Sequence, residues 1–335
     1  MPRALVLFAG TLESALAVKL LARDPQWEID LLYIRSPFSP PSETIREVAQ
    51  KLFPGLPFRS LGLKRDYLAW SRLITDSLLF PCGVCRFTLL WRAGKLLRKR
   101  GYDFIVTGEL VGKGGIGARE IRAMEGRLGL VGKVLRPLCG ALLHDPDVEG
   151  YRPLDLRAAD TKALLKLAQE MGIDPHGLPQ SDCPLLDDGY ARRVEHFLRQ
   201  GKVTINSLQL LHFPDVYAGE GFQLVVAHSP QERQQLTSFF LPGDIRLYLP
   251  IPGSPLGLLR LRDPRDGELE AYLELCGGIL AAVADWPQGR RAPLHYRREC
   301  DEHTERIWVR PLPPPYLERL RLPPLHTTPT LVQLI

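Results

Sequence analysis

Cysteine is scarce in this chain, with six residues in 335, at positions 82, 85, 139, 183, 276 and 300. So few, so unevenly spaced, do not make the disulfide framework of a small secreted fold, and they point to a reducing compartment, the cytoplasm. No apolar run approaches the ~18–20 residues that a membrane-spanning helix requires, so no membrane partner is expected. Neither sign of charge dominates: 43 Lys+Arg against 38 Asp+Glu leave a formal net charge of +5. That small excess permits contact with nucleic acid without demanding it. Hydrophobic residues at 45% and charged residues at 24% are ordinary for a folded protein and exclude bulk disorder.

Proline and glycine are plentiful, at 30 and 29 residues. Seven of the prolines fall between Pro311 and Pro329, which predicts an extended tail. The N-terminal run Ala4–Phe8 imitates the apolar part of a leader peptide, but Glu13 interrupts it and Leu12, Leu16 and Leu20 follow at helical spacing. The reading is a buried strand feeding a helix over 12–23. The pattern repeats with a strand over 29–34, a helix over 42–53 capped by Ser42, a strand over 58–63, a basic helix over 85–100 and a strand over 102–107. Strands alternating with helices predict an α/β fold, a parallel sheet covered on both faces, with ligands at the carboxyl ends of the strands. Residues 111–132, rich in glycine and arginine, read as a mobile basic loop. Helices return over 160–171, with Asp160 as N-cap, and over 188–199. Beyond Gly201 short strands (223–227, 245–249, 256–261 and 306–310) and a helix over 269–284 predict a smaller α+β domain. The expected division is therefore 1–200 and 201–335.

Three places carry chemistry. In the turn Ala9-Gly10-Thr11-Leu12-Glu13-Ser14 a strand stops at glycine and opens into a helix, so backbone N–H groups of Gly10 and Thr11 and the Ser14 hydroxyl are placed to cradle phosphate, with Glu13 available to a metal ion. The same residues also suit an ordinary connection with Thr11 as N-cap. In Pro81-Cys82-Gly83-Val84-Cys85 two thiols at a loop–helix junction suit a metal, an iron–sulfur cluster, a cycling disulfide or a merely structural pair. Arg86 and the helix N-terminus favour thiolates there. No second Cys-x-x-Cys or His pair follows at zinc-finger spacing. The lone Cys183, in a loop between two helices, supplies a third thiol.

The phosphate turn resembles the Ser-Gly-Gly-x-Asp-Ser loop of the PP-loop ATP pyrophosphatase superfamily: Gly10 and Ser14 match, while Ala9, Thr11 and Glu13 stand in place of serine, glycine and aspartate. Four further segments, taken together, are similar to the ThiI-like tRNA 4-thiouridine synthetase family, the tRNA sulfurtransferases of the three-cysteine type. They are Cys82/Cys85, Thr107-Gly108-Glu109, Arg136-Pro137-Leu138 with Leu142-Leu143, and Cys183-Pro184-Leu185-Leu186. The resemblance spans about residues 3–200. It departs at Lys113-Gly114-Gly115-Ile116-Gly117-Ala118 and at Ser181-Asp182, as a diverged paralogue does.

This resemblance implies a PP-loop sheet, a [4Fe-4S] cluster held by Cys82, Cys85 and Cys183 with one iron free for sulfur, and tRNA as partner. It also implies ATP and Mg²⁺ bound through Gly10, Thr11, Glu13, Ser14, Thr107, Gly108 and Glu109. Residues 201–335 loosely resemble an RNA-binding domain appended to some bacterial relatives. Lys113, Arg119, Arg122 and Arg127 are the candidate RNA contacts, with Arg290, Arg291, Arg297, Arg298, Tyr296 and Trp308 as a second basic and aromatic set. A second reading keeps the cluster and drops ATP, as a sulfur-handling or desulfidating protein. A third is a non-catalytic RNA-binding protein.

Overall fold

The computed structural model describes residues 1–63, 80–179, 183–200, 204–262 and 268–325. These fall into two compact units, one built from 1–186 and 195–200, the other from 187–194 and 204–325, apart from the undescribed positions. No described helix is long and apolar enough to cross a membrane.

The first unit holds a five-stranded parallel sheet of strands β1 (Arg3–Leu7), β2 (Glu28–Arg35), β3 (Phe58–Gly62), β4 (Phe104–Thr107) and β5 (Val134–Leu135), ordered β3-β2-β1-β4-β5. Alternation along each strand decides the packing. Ala4, Val6, Leu31 and Val106 face helices α1 (Leu12–Leu21) and α2 (Ser42–Leu52), together with the later helix over Thr161–Glu170. Leu5, Leu32, Ile34 and Ile105 face the opposite side, against α3 (Cys82–Arg100). Both faces are thus covered, as the uninterrupted apolar runs of β1 and β2 require. The α3 helix begins three residues earlier than expected, which puts both cysteines of the Cys-x-x-Cys in its first turn. It ends at Gly101, whose φ of 67° closes the helix after Arg98, Lys99 and Arg100, cations that suit a helix C-terminus.

The expected basic loop is instead ordered. A tight turn at Lys113–Gly115 leads into α4 (Ala118–Leu128), which buries Ile121, Met124 and Glu125 and stops at Gly129, φ 63°. The glycines that suggested mobility serve as turn and cap residues. A short α5 (Gly140–Leu143) and α6 (Thr161–Glu170) follow. Neither Ser42 nor Asp160 caps its helix by a side-chain bond: Ser42 is already helical behind Pro41, and the Asp160 carboxylate accepts from Arg157 N at 2.7 Å.

Helix α7 (Asp188–Arg199) runs across the division between the units. The second unit adds α8 (Ile205–Gln209), β6 (Asp215–Gly219), β7 (Phe222–Ala227), α9 (Pro230–Thr237), β8 (Ile245–Tyr248), β9 (Leu256–Leu261), α10 (Leu269–Val283), β10 (Ala292–Arg298), β11 (Glu305–Val309) and α11 (Pro314–Leu320). Its sheet is antiparallel, ordered β11-β10-β8-β9-β7-β6. Helix α10 lies on one face through Leu273, Cys276, Ile279 and Leu280. Its Gly277 and Gly278 are there for closeness: a Cβ on Gly277 would come within 2.4 Å of Leu294 Cδ2, and one on Gly278 within 2.7 Å of the Arg310 carbonyl. The proline-rich tail is not wholly extended. Pro314 opens α11, where a missing N–H costs nothing and a fixed φ helps.

The return of this tail is anchored by Arg193. Its buried guanidinium donates to the carbonyls of Leu211, Phe213, Pro214 and Pro323 at 2.6–2.8 Å. His212 is also buried, stacked on Tyr190 with centroids 4.1 Å apart. Burial and then the nearby Arg193 push its pKa down to about 4, with Asp187 opposing. The folded state therefore binds His212's proton less readily than the unfolded chain, whose histidine titrates near ~6.5. The stability this contributes is present above that value and is lost as pH falls toward 4. Replacing His212 by Phe, which keeps the stack, is expected to flatten the acid limb of stability between these pH values, by a total on the order of 3 kcal/mol. Urea unfolding of wild type and H212F across pH 4–7 measures it.

Candidate functional site

Strand order reverses between β1 and β4, so the crevice at their carboxyl ends is where a sheet of this kind holds a ligand. The turn after β1 sits there. Gly10 has φ 73°, and a Cβ on it would come within 2.8 Å of Ile45 Cδ1, so only glycine fits. Thr11 is the N-cap of α1, its Oγ1 accepting from Ser14 N at 3.4 Å, while Ser14 Oγ donates to Thr11 O at 2.9 Å and accepts from Ala9 N at 3.3 Å. The side chains expected to meet phosphate are thus engaged within the turn itself. From the other side Gly108 closes against α1: a Cβ there would lie 2.5 Å from the Glu13 carbonyl carbon and 2.6 Å from Ser14 N. The neighbouring Thr107 hydroxyl is buried and finds no protein partner.

Glu13 reaches the Lys113 ammonium at 2.5 Å. Burial works against its charge, but the lysine outweighs it and holds the carboxyl below its ordinary range. Glu109 turns elsewhere. Its carboxylate is gripped by Arg86 Nη1 at 3.1 Å and by Arg136 Nε at 2.8 Å. The Arg136 guanidinium, fully buried, also pairs with Glu125 and with Asp145 at 3.3 Å, and its backbone N–H donates to Asp145 and to the Tyr151 hydroxyl. The sequence reading saw Arg136 only as part of a motif and missed this network. Its signal was the cluster of ionisable residues (Glu109, Glu125, Arg136, Asp145) in a stretch otherwise rich in core residues.

The thiols lie beside this network. Cys82 and Cys85 occupy the first turn of α3, and Cys183 comes within electrostatic reach of both, although 98 positions separate it from Cys85. All three are free. Burial raises each of them, Cys85 to about 12 with Cys183 and Cys82 adding to the shift, and Cys183 to about 11. Cys82 is raised as well, Arg86 and Lys113 opposing without prevailing. The expectation that Arg86 would favour thiolates is therefore corrected: desolvation wins, and a bound metal must displace protons.

The residues suit an iron–sulfur group. The three unbridged thiols act on one another electrostatically, and Gly114 lies so close that a Cβ on it would sit 2.5 Å from Cys82 Sγ. Among the described residues no three of His, Cys, Asp and Glu gather tightly enough for a single ion, whereas a polynuclear cluster spreads its thiolates more widely. Cys139 shares an apolar cluster with Cys82, but its thiol donates to the Glu109 carbonyl at 3.0 Å. Cys276 lies in the core of the second unit and Cys300 is exposed.

Lys113 joins the two places. Its side chain holds Glu13, its carbonyl accepts from Arg86 Nη2 at 2.6 Å, and its neighbour Gly114 packs on Cys82. Of the other candidate RNA residues, Arg119 and Arg127 are exposed on α4 and Arg122 is half-buried.

No family model and no curated protein matches the chain. Among solved structures it is similar to a tRNA methyltransferase subunit from Methanocaldococcus jannaschii, at 17% identity and TM-score 0.33 over 51% of this chain and 76% of that one. The U34-tRNA thiolase NcsA from Methanococcus maripaludis, with its [4Fe-4S] cluster, is similar at 15% identity and TM-score 0.31, over 60% and 70%. A third is the C-terminal part of a fibronectin/fibrinogen-binding protein from Streptococcus suis, at 9% and 0.28, over 77% and 91%.

The contact of Gly108 with the α1 turn is open to a direct test. Gly108→Ala drives a methyl into backbone and is expected to destabilise the first unit by roughly 1–3 kcal/mol. Gly115→Ala, in open space at φ 74°, is expected to cost only about 1 kcal/mol. Denaturant midpoints of the two variants compare them.

Proposed function

We propose that this protein is an iron–sulfur-dependent sulfurtransferase acting on tRNA, built on a PP-loop type sheet. The observation that carries the reading is the approach of Cys183 to the Cys82–Cys85 pair, at the end of α3 that neighbours the crevice between β1 and β4. Cys82, Cys85 and Cys183 are the residues that hold the cluster. When bound, it supplies an iron with a coordination position left free for sulfur.

The chain's own residues serve the rest. The turn Gly10–Ser14 and the unpartnered Thr107 hydroxyl face the position of a nucleotide phosphate, and Glu13 is the carboxylate placed for Mg²⁺. In the ATP-using form the uridine carbonyl oxygen attacks the α-phosphorus and pyrophosphate leaves. Sulfide from a donor then adds to the activated carbon, and AMP departs with the oxygen. Adenylation is needed because oxygen alone is a poor leaving group.

A second reading, sulfur handling without ATP, is favoured by one specific feature. Glu13 is already neutralised by Lys113, and Thr11 and Ser14 are engaged with each other, so phosphate and Mg²⁺ would have to displace existing bonds.

Anaerobically purified protein is expected to carry iron and sulfide with the broad visible absorption of a cluster. Each of Cys82→Ala, Cys85→Ala and Cys183→Ala should abolish both, while Cys300→Ala leaves them intact. Iron-free wild type, or a cluster indifferent to Cys183, overturns the proposal. Pyrophosphate release on adding tRNA and ATP selects the first reading. Its absence, with nucleotide binding gained in the T11G/E13D variant, selects the second.

A further inference from the structure

The sheet of the second unit is covered by α10 on one face, where Ala292, Leu294 and Val309 are buried. Alternation places Pro293, His295 and Arg297 of β10, and Arg306 and Trp308 of β11, on the other face. The register sets Trp308 opposite Pro293, His295 between Arg306 and Tyr248, and Arg297 opposite Arg246. Trp308 is 51% exposed, in an ordered edge strand, with the Arg306 guanidinium 5.8 Å from its ring centroid. Tyr248 and His295 meet edge to face at 5.4 Å. Arg246 is spent on Glu299, at 3.3 Å, and on the Phe240 ring. Arg297 and Arg306 make no ion pair among the described residues. Tyr296, which the sequence paired with Trp308, lies on the covered side, its hydroxyl donating to Glu305 at 2.6 Å.

An exposed tryptophan that fills no core, next to an aromatic pair and two arginines without carboxylate partners, combines flat stacking surfaces with fixed positive charge. Those are the two requirements for holding unpaired bases and the phosphates between them. A duplex hides its base faces and cannot use the rings. An acidic peptide would use the arginines and leave Trp308 without a role. The exposed Asp301 and Glu302 in the β10–β11 turn bound the patch at one end and repel a polyanion there, which directs a strand across β8, β10 and β11.

We infer that this face binds single-stranded RNA, with bases stacked on Trp308 and on the Tyr248–His295 pair and phosphates held by Arg306 and Arg297. The choice of RNA over DNA rests on the function proposed above. The binding face itself is argued from these residues alone.

The test is fluorescence-anisotropy titration of the full chain with a labelled mixed-sequence RNA 12-mer at several salt concentrations. Trp308→Ala is expected to weaken binding about 5- to 150-fold, the loss of one stacked base, while Trp308→Phe retains most of the affinity. Arg306→Ala and Arg297→Ala should each reduce the slope of log K against log salt by about 0.7. Hairpin duplex RNA and polyglutamate should compete poorly. An affinity unchanged in W308A, a W308F variant as weak as W308A, unchanged salt slopes, or effective competition by duplex or polyglutamate overturns the inference. A deoxyribose 12-mer that binds more tightly than RNA removes the choice of RNA. Iron content measured on the same samples separates the two proposals: RNA binding at this face by iron-free protein leaves the inference standing and ends the cluster reading.

Discussion

The first unit depends on one buried cation. Arg136 follows β5 directly, and its guanidinium and backbone gather Glu109 from the end of β4, Glu125 from α4, and Asp145 and Tyr151 from the chain beyond α5. Burying that many charges is costly, and such a set is weak evidence for stability as such. Its geometric effect is plain. Glu109 is fixed by Arg136 on one side and in turn fixes Arg86, one residue past Cys85. Removing Arg136 strands its carboxylate partners where water cannot reach them, a loss of about 3–5 kcal/mol. Burial keeps the Glu125 carboxyl above its ordinary range although Arg136 pulls the other way, whereas the carboxylates around Arg136 outweigh its own burial and hold its charge.

From that anchor the positions of the functional groups follow in sequence. Arg86 donates to the Lys113 carbonyl, the Lys113 ammonium reaches Glu13, and Gly114 lies on Cys82. Three glycines with positive φ, Gly112, Gly114 and Gly115, bracket the lysine, a backbone that side chains at these places would resist. The thiols and the Gly10–Ser14 turn are therefore linked through a single short segment, and a change in the partner of Glu13 bears directly on the packing of Cys82.

Much of this was legible in sequence, and for identifiable reasons. The central residues of β1 and β2 form apolar runs because both faces are covered, and α10 falls within the helix expected over 269–284. The Cys82–Cys85–Cys183 set could be named from its resemblance to a family, but the spacing could not show that Cys183 returns to the pair, since that depends on tertiary packing. Residues 111–132 differ from the loop that their glycine and arginine content predicts. In fact Ile121 and Met124 at i, i+3, with Gly117 and Gly129 at the ends, already spell a capped amphipathic helix. β5 was missed because two residues carry no period. Pro314 and Pro315 were misread because proline is hostile to a helix interior but not to its first turn.

The same logic bears on the altered phosphate turn. A glycine at position 11 would leave the α1 N-terminus uncapped and its N–H groups free for an anion, whereas Thr11 supplies the cap from within the chain. An aspartate at position 13 would be one methylene shorter than the Glu13 that meets Lys113 at 2.5 Å. Both departures act in one direction: they satisfy internally what a nucleotide and its metal ion would otherwise satisfy. Yet Lys113 is itself a cation at the α1 N-terminus, so under the proposed function a phosphate would gain one favourable partner and have one carboxylate to displace. Whether that exchange is downhill is decided by the difference between two charge-assisted contacts, each on the order of 1.5–3 kcal/mol. Substitutions at positions 11, 13 or 113 act on that difference directly.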